Sequence, residues 1–326
     1  MKKLEDFLMP TQKELFSKLS GMYKGRAMTC KNSYILVRGE APIMLVAHLD
    51  TVHKTPVKHI CKTQNGGILM SPQGIGGDDR CGVYALTAVH EQSAVKPWLL
   101  FTCDEEVGGV GASAFCTRYQ KGKLPKELAD LKMLVEIDRK GRNDAVYYDC
   151  DNPEFEEYIT SKGFETDWGS FSDISLIAPA LGVAAVNLSS GYYNAHTQHE
   201  YIDRKHLNVT VKRVVEIVAD AAGPDFPKYE YIESYRYSRF GYGMYGGWGD
   251  WGRKSSGVYP LELEDAPNLK KIPEDIRDEY AALLDFYTEG ELEALRKEHG
   301  DNVIHMMFES ELADYYGDDY DEEDLK

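Results

Sequence analysis
The chain has 326 residues, 43% of them apolar, and a net charge of −17, which excludes a small module and suits one large α/β domain with an appendage. Six scattered cysteines without a CxxC pair exclude a disulfide-dense mini-protein and a zinc ribbon and fit a reducing compartment. Mean hydropathy is −0.45, no apolar run approaches the roughly 18 residues of a membrane span, and the opening residues lack the apolar stretch of a secretory signal. A cytoplasmic protein without a membrane partner is expected.

In chain order, residues 32–38 and 42–47 are short apolar runs that read as buried strands. Residues 81–91 have helical spacing, 98–103 read as a strand and 110–119 as a helix. Residues 131–137 form another strand, 145–148 a short one, 153–162 a helix and 183–188 a strand. Over 204–221, Val209, Val211, Val214, Ile217 and Val218 recur at near-helical spacing. This alternation predicts an α/β three-layer sandwich, a central mixed and largely parallel sheet covered by helices.

The texture changes at Gly223-Pro224-Asp225, so residues 1–222 are expected to form one catalytic domain and 223–326 an acidic C-terminal appendage. Residues 229–259 are a Gly/aromatic run with no period of 2 or 3.6 and read as irregular. Residues 274–299 look helical, with Tyr280, Leu283, Leu284 and Tyr287 on one face, and the tail from 309 is acidic. The charge divides the same way: residues 1–220 hold 26 basic and 28 acidic side chains, residues 221–326 hold 11 and 26. Such acidity argues against nucleic acid, whose phosphates call for Lys and Arg, and leaves a protein partner open for the appendage.

Five segments place metal-ligand side chains at or just after strands: His48 and Asp50; Asp78 and Asp79 behind Gly76 and Gly77; Glu105 and Glu106; Asp138; and His196. Each alone has an ordinary reading as a turn, a helix cap, a solvated charge or a loop histidine. Together they fall where ligands gather in an open α/β sheet. Side chains at i and i+2 of an extended chain share a face, so Asp50 can fix the imidazole of His48. Two histidines and three carboxylates suit zinc and exceed what one catalytic zinc uses, so two divalent metal ions sharing a bridging carboxylate account for them better. The adjacent Glu105 and Glu106 cannot point the same way in an extended loop. One can ligate while the other takes a proton from the attacking water.

The ordered motifs HLD, GGDDRCG, DEEVGGVGA, EID and NAHTQHEYID resemble those of the co-catalytic two-zinc exopeptidase superfamily. It includes bacterial leucyl aminopeptidases, peptidase T, glutamate-type carboxypeptidases and aminoacylases. The match spans about residues 32–222. The resemblance implies that His48 and Asp138 hold one zinc, that Glu106 and His196 hold the other, and that Asp78 bridges them. It makes Glu105 the general base, has Asp50 orient His48, and implies a cis peptide between Asp78 and Asp79. Only 30 residues separate His48 from Asp78, and 58 separate Asp138 from His196, too few for an inserted lid or second domain. The expected function is therefore hydrolysis of a terminal peptide bond by a lidless, aminopeptidase-like enzyme acting on peptide substrates. The alternatives are a carboxypeptidase, an N-acyl amino acid deacylase, or a metal-bearing scaffold acting through its acidic region.

Tyr192, Tyr193 and Asn194 either line the substrate pocket or shape their loop. Ser172-Asp173 reads as a helix N-cap. Cys81 and Cys103 read as small buried residues, and His53, His199 and His206 as non-ligands.

Overall fold
The computed structural model describes residues 3–169, 171–233 and scattered positions between 272 and 307. The chain divides into two compact units, residues 1–239 and 240–326. The helices of the first are α1 (Glu5–Leu8), α2 (Gln12–Met22), α3 (Gly77–Gln92), α4 (Val110–Gln120), α5 (Pro153–Ser161), α6 (Asp173–Leu181) and α7 (Arg204–Ala221). The longer strands are β1 (Ala27–Cys30), β2 (Tyr34–Val37), β3 (Ala41–His48), β6 (Pro97–Thr102), β7 (Met133–Arg139) and β10 (Ala185–Ser189). The shorter are β4 (Cys61–Lys62), β5 (Ile68–Met70), β8 (Asp144–Val146), β9 (Glu165–Thr166), β11 (Tyr192–Tyr193) and β12 (Tyr201–Asp203).

Eight strands form the central sheet in the order β1-β2-β6-β3-β7-β10-β8-β9. The middle pairings, β6 with β3, β3 with β7 and β7 with β10, are parallel, and the β2 and β8 flanks are antiparallel. A second, antiparallel sheet runs β11-β12-β5-β4.

Strand alternation builds the layers. Ile35, Ile43, Leu45, Leu99, Phe101 and Val135 face one core, which takes in Val83, Leu86 and Val89 of α3 and Val214 and Ile217 of α7. Tyr34, Leu36, Met44, Val46, Leu100 and Leu134 face the other, with Phe115 of α4 and Ile174 and Ile177 of α6. The central strands are buried on both faces, which is why they read as continuous apolar runs. Helix α3 packs tightly against β7: a Cβ at Gly82 would lie 2.0 Å from the Ile137 carbonyl oxygen.

The first unit continues past Ala222. Tyr229 is buried, its N–H donates to the Lys132 carbonyl, and its own carbonyl accepts from Ala184 N–H. Residues 230 and 233 form bridges with Val183 and Cys150. The rest of the Gly/aromatic run, 234–259, and the acidic tail lie outside the described residues. In the second unit, Ile272, Ile276, Tyr280, Leu283, Leu292 and Ile304 share a small core. Tyr280, Leu283, Leu292 and 295–297 are helical there, while Leu284 and Tyr287 lie outside the described residues. No helix among the described residues is long and apolar enough to cross a membrane.

Candidate metal centre
The carboxyl ends of β3, β6 and β7 converge with the loop after β11, and they bring together the side chains singled out in the sequence. His48, the last residue of β3, is wholly buried. Its Nε2 lies 3.2 Å from Asp78 Oδ1, 3.6 Å from Asp138 Oδ1 and 3.9 Å from Glu105 Oε2. His196 Nε2 lies 3.3 Å from the other oxygen of Asp78 and 3.2 Å from Glu106 Oε2. Asp78 thus offers one oxygen to each histidine. Asp79 points elsewhere, accepting the Gly82 N–H on Oδ1. The Asp78–Asp79 peptide bond is cis, as the resemblance implies.

Asp50 does more than face His48 Nδ1 at 3.4 Å. Its two oxygens accept the backbone N–H groups of Glu105 and Glu106, at 3.1 and 3.0 Å. One carboxylate therefore sets both the imidazole and the loop that carries the glutamates. Burial works against its charge, but hydrogen bonding by His48 and these two N–H groups holds its carboxyl below the usual range.

Three positioning residues carry no local sequence signal of their role. Glu200 is fully buried; it accepts from the N–H groups of Gly76 and Asp78 at 2.8 and 2.9 Å, and His53 Nε2 lies 2.9 Å from it. It fixes the turn into α3, where Gly76 has φ +63 and a Cβ would press on Thr51. Gln12 of α2 clasps Asp104, donating to its carboxylate at 2.8 Å and accepting its N–H at 3.3 Å; Asp104 itself has φ +58. Asn187 clasps the backbone of Asp138 on both sides, accepting its N–H and donating to its carbonyl.

Ser172 is the N-cap of α6, and its hydroxyl donates to Glu136. Tyr192, Tyr193 and Asn194 shape the loop: Tyr192 donates to the Asp138 carbonyl, Tyr193 stacks on Tyr201, and Asn194 donates to the His199 carbonyl. His206 meets the Tyr193 hydroxyl. Cys81 and Cys103 are buried, which pushes both thiols up.

The donor set fits divalent cations. Donor atoms of His48, Asp78 and Glu106 lie within 4.8 Å of one another. Buried oxygens of Glu106 and Asp138 (Oε1 and Oδ1) have no hydrogen-bond partner. Two imidazoles among five carboxylates leave an excess of buried acid that bound cations can balance. Its signature is proton affinity: burial and the charge of Asp78 raise Asp138 to about 8. Burial likewise lifts Glu105 well above the carboxylate range, His48 opposing and the charges of Asp173, Asp138 and Glu106 adding to it. Hydrogen bonding to Asp78 and Glu106 raises His196 to about 11. Asp78 is held well below the usual range, since its partners His196 and His48 outweigh its burial.

No family model matches the sequence, and no curated protein matches it. Solved structures match in fold. A tripeptidase of Staphylococcus aureus subsp. aureus Mu50 aligns with a TM-score of 0.51 at 16% identity, covering 67% of this chain and 96% of that one. The aminopeptidase PepT of Bacillus cereus ATCC 10987 aligns with a TM-score of 0.50 at 15% identity, covering 68% and 97%. The chain has the fold of these peptidases, in agreement at that level with the resemblance in its motifs.

Proposed function
We propose that this chain is a two-metal exopeptidase that removes residues from the free amino terminus of peptides. The observation that carries the reading is the placement of Asp78, one oxygen toward His48 and the other toward His196. His48 and Asp138 would hold one ion, Glu106 and His196 the other, and Asp78 both. Nitrogen and oxygen donors in these numbers suit zinc. Bound there, a metal pair supplies Lewis-acid polarisation of the scissile carbonyl and acidifies the attacking water.

The rest is done by the chain itself. Glu105 stands off from His48 at 3.9 Å, whereas Glu106 approaches His196 at 3.2 Å. This difference supports Glu105 as the general base, whose carboxylate takes the proton of the attacking water and delivers it to the departing amine. Asp50 holds the two glutamates in these separate roles through their N–H groups. The interval between Asp138 and His196 carries β8, α5, β9, α6, β10 and β11. Among its described residues every element belongs to the first unit, which supports an aminopeptidase over relatives whose inserted lid grips a substrate carboxylate.

A panel of peptides with free amino termini, blocked amino termini and amidated carboxyl termini tests the reading. An aminopeptidase cleaves the first and third and spares the second. Release of the blocking group would make it a deacylase, and release of the carboxyl-terminal residue from blocked peptides, lost on amidation, a carboxypeptidase. A protein that holds its metals and turns over none of the three would be a scaffold.

A further inference from the structure
Beside the metal centre lies a cavity of about 280 Å³ whose lining includes none of the proposed metal ligands; it shares Asp50 and the supporting residues Gln12, His53 and Gly76 with the centre. Its walls come from the α1–α2 junction, the loop after β3 and the turn into α3. Leu8, Val57 and Ile75 are its buried apolar surface, and Lys54 is exposed at its rim. At its inner end is Arg80, only 4% exposed. Arg80 donates from Nη1 to the carbonyls of Phe7 and Pro10 at 2.9 and 2.7 Å, and its Nε has no partner. Among the described residues no carboxylate lies within ion-pair distance of it, and the negative charges of Asp50 and Asp79 act on it from farther off.

A buried guanidinium without a direct ion pair is costly, and carboxylates match its fork of donors best. The volume lies below the usual range of drug-sized clefts, so the occupant is small. The apolar wall calls for an apolar body, and Asp50 gives the cavity one acidic edge. We propose that this cavity binds a free apolar amino acid, its carboxylate against Arg80, its side chain on Leu8, Val57 and Ile75, and its ammonium toward Asp50. The choice of an amino acid among small carboxylates rests on the peptidase reading, which makes it a product; the pocket for a carboxylate does not.

Calorimetric titration of the full chain with leucine, leucinamide and 4-methylpentanoate tests it. Leucine should bind both in the metal-loaded protein and after chelator treatment. Leucinamide, which lacks the carboxylate, should bind at least about tenfold more weakly, the scale of one charge-assisted contact. Arg80 also secures the N-terminal segment, so its variants risk unfolding. Lys54→Glu at the rim and Val57→Trp in the wall are therefore the variants of choice, and each should weaken leucine by about tenfold or more. Binding of 4-methylpentanoate in place of leucine would overturn the amino acid assignment. Absence of saturable leucine binding, its disappearance with the metals, equal binding of leucinamide, or wild-type binding by both variants would overturn the site. Failure of the peptidase reading would show separately, as absent turnover in the peptide panel.

Discussion
His48 and Asp138 stand at the ends of neighbouring parallel strands, with the imidazole wholly buried. His196 stands on a loop, its side chain 57% exposed, in a left-handed conformation at φ +63. The loop is tied within itself by contacts such as Thr197 to the Asn194 carbonyl, and to the turn into α3 by Glu200 at its end. One half of the centre is thus set by sheet register, and the other by a loop that keeps its own shape. Register cannot shift without moving the core, so the His48 half is pre-organised, while the His196 half rests on an exposed loop whose turns open more readily. Of the proposed ligands, Asp78 alone faces both.

The largest effect should follow from removing that shared residue. In Asp78→Ala, elemental analysis should find both ions lost and turnover at background. His196→Ala should lose one ion and keep the buried one, and excess zinc should restore part of its activity. Equal loss of both ions in the two variants would mean that the halves are not built differently. A smaller effect is expected of Glu105→Gln, which keeps shape and metals but removes the base. Turnover should fall by about 10²–10⁴-fold with substrate affinity changed much less. If this variant loses metal and Glu106→Gln does not, the two glutamates have exchanged roles.

Much of the buried half was legible in the sequence, and the reason is the same register. Apolar runs end at His48 and near Asp138 because each strand carries its side chains out of the core at a fixed place. Helix α7 begins and ends where its spacing predicts, at Arg204 and Ala221. The capping box of α2, Thr11 with Glu14, was present in the sequence but stood outside the strand–helix alternation that guided the reading. Strands β4, β9 and β11, two residues each, are too short for any period to mark. Glu200 lay inside the motif NAHTQHEYID without a role, and Gln12 and Asn187 outside any motif, for another cause: each binds backbone groups far away in the chain, and backbone partners leave no trace in residue type.

Glu200 gives the next test, one step below the base. It touches no proposed metal site but fixes the N–H groups on either side of Gly77. Residues that orient ligands from behind typically cost 10–100-fold in metal affinity or activity when altered. Glu200→Gln should fall in that range, through weaker metal binding, and excess zinc should restore it. A loss of activity at full metal occupancy would place Glu200 nearer the reaction than its hydrogen bonds indicate.

The smallest effect should come from the boundary between the two units. The change of composition at 223 suggests a chain that can end there, but the segment 229–233 lies along the first unit. Ending the chain at 222 would strip Lys132, Ala184 and Asp151 of backbone partners at 2.8, 2.9 and 2.8 Å. It would also remove Tyr229 and Phe226 from their packing on Tyr158, and Tyr229 from Phe155. At about 0.5–1.5 kcal/mol for each hydrogen bond, with the aromatic burial added, the loss is on the order of 3–5 kcal/mol. For a domain of this size that lowers Tm by on the order of 10 °C. Ending the chain at 239 removes none of these contacts, so Tm, metal content and turnover on small peptides should stay close to those of the full chain. Coincident melting of the 222-residue chain with the full chain would return the boundary to 223. Insolubility of the 239-residue chain would show that the catalytic unit does not fold without the acidic third.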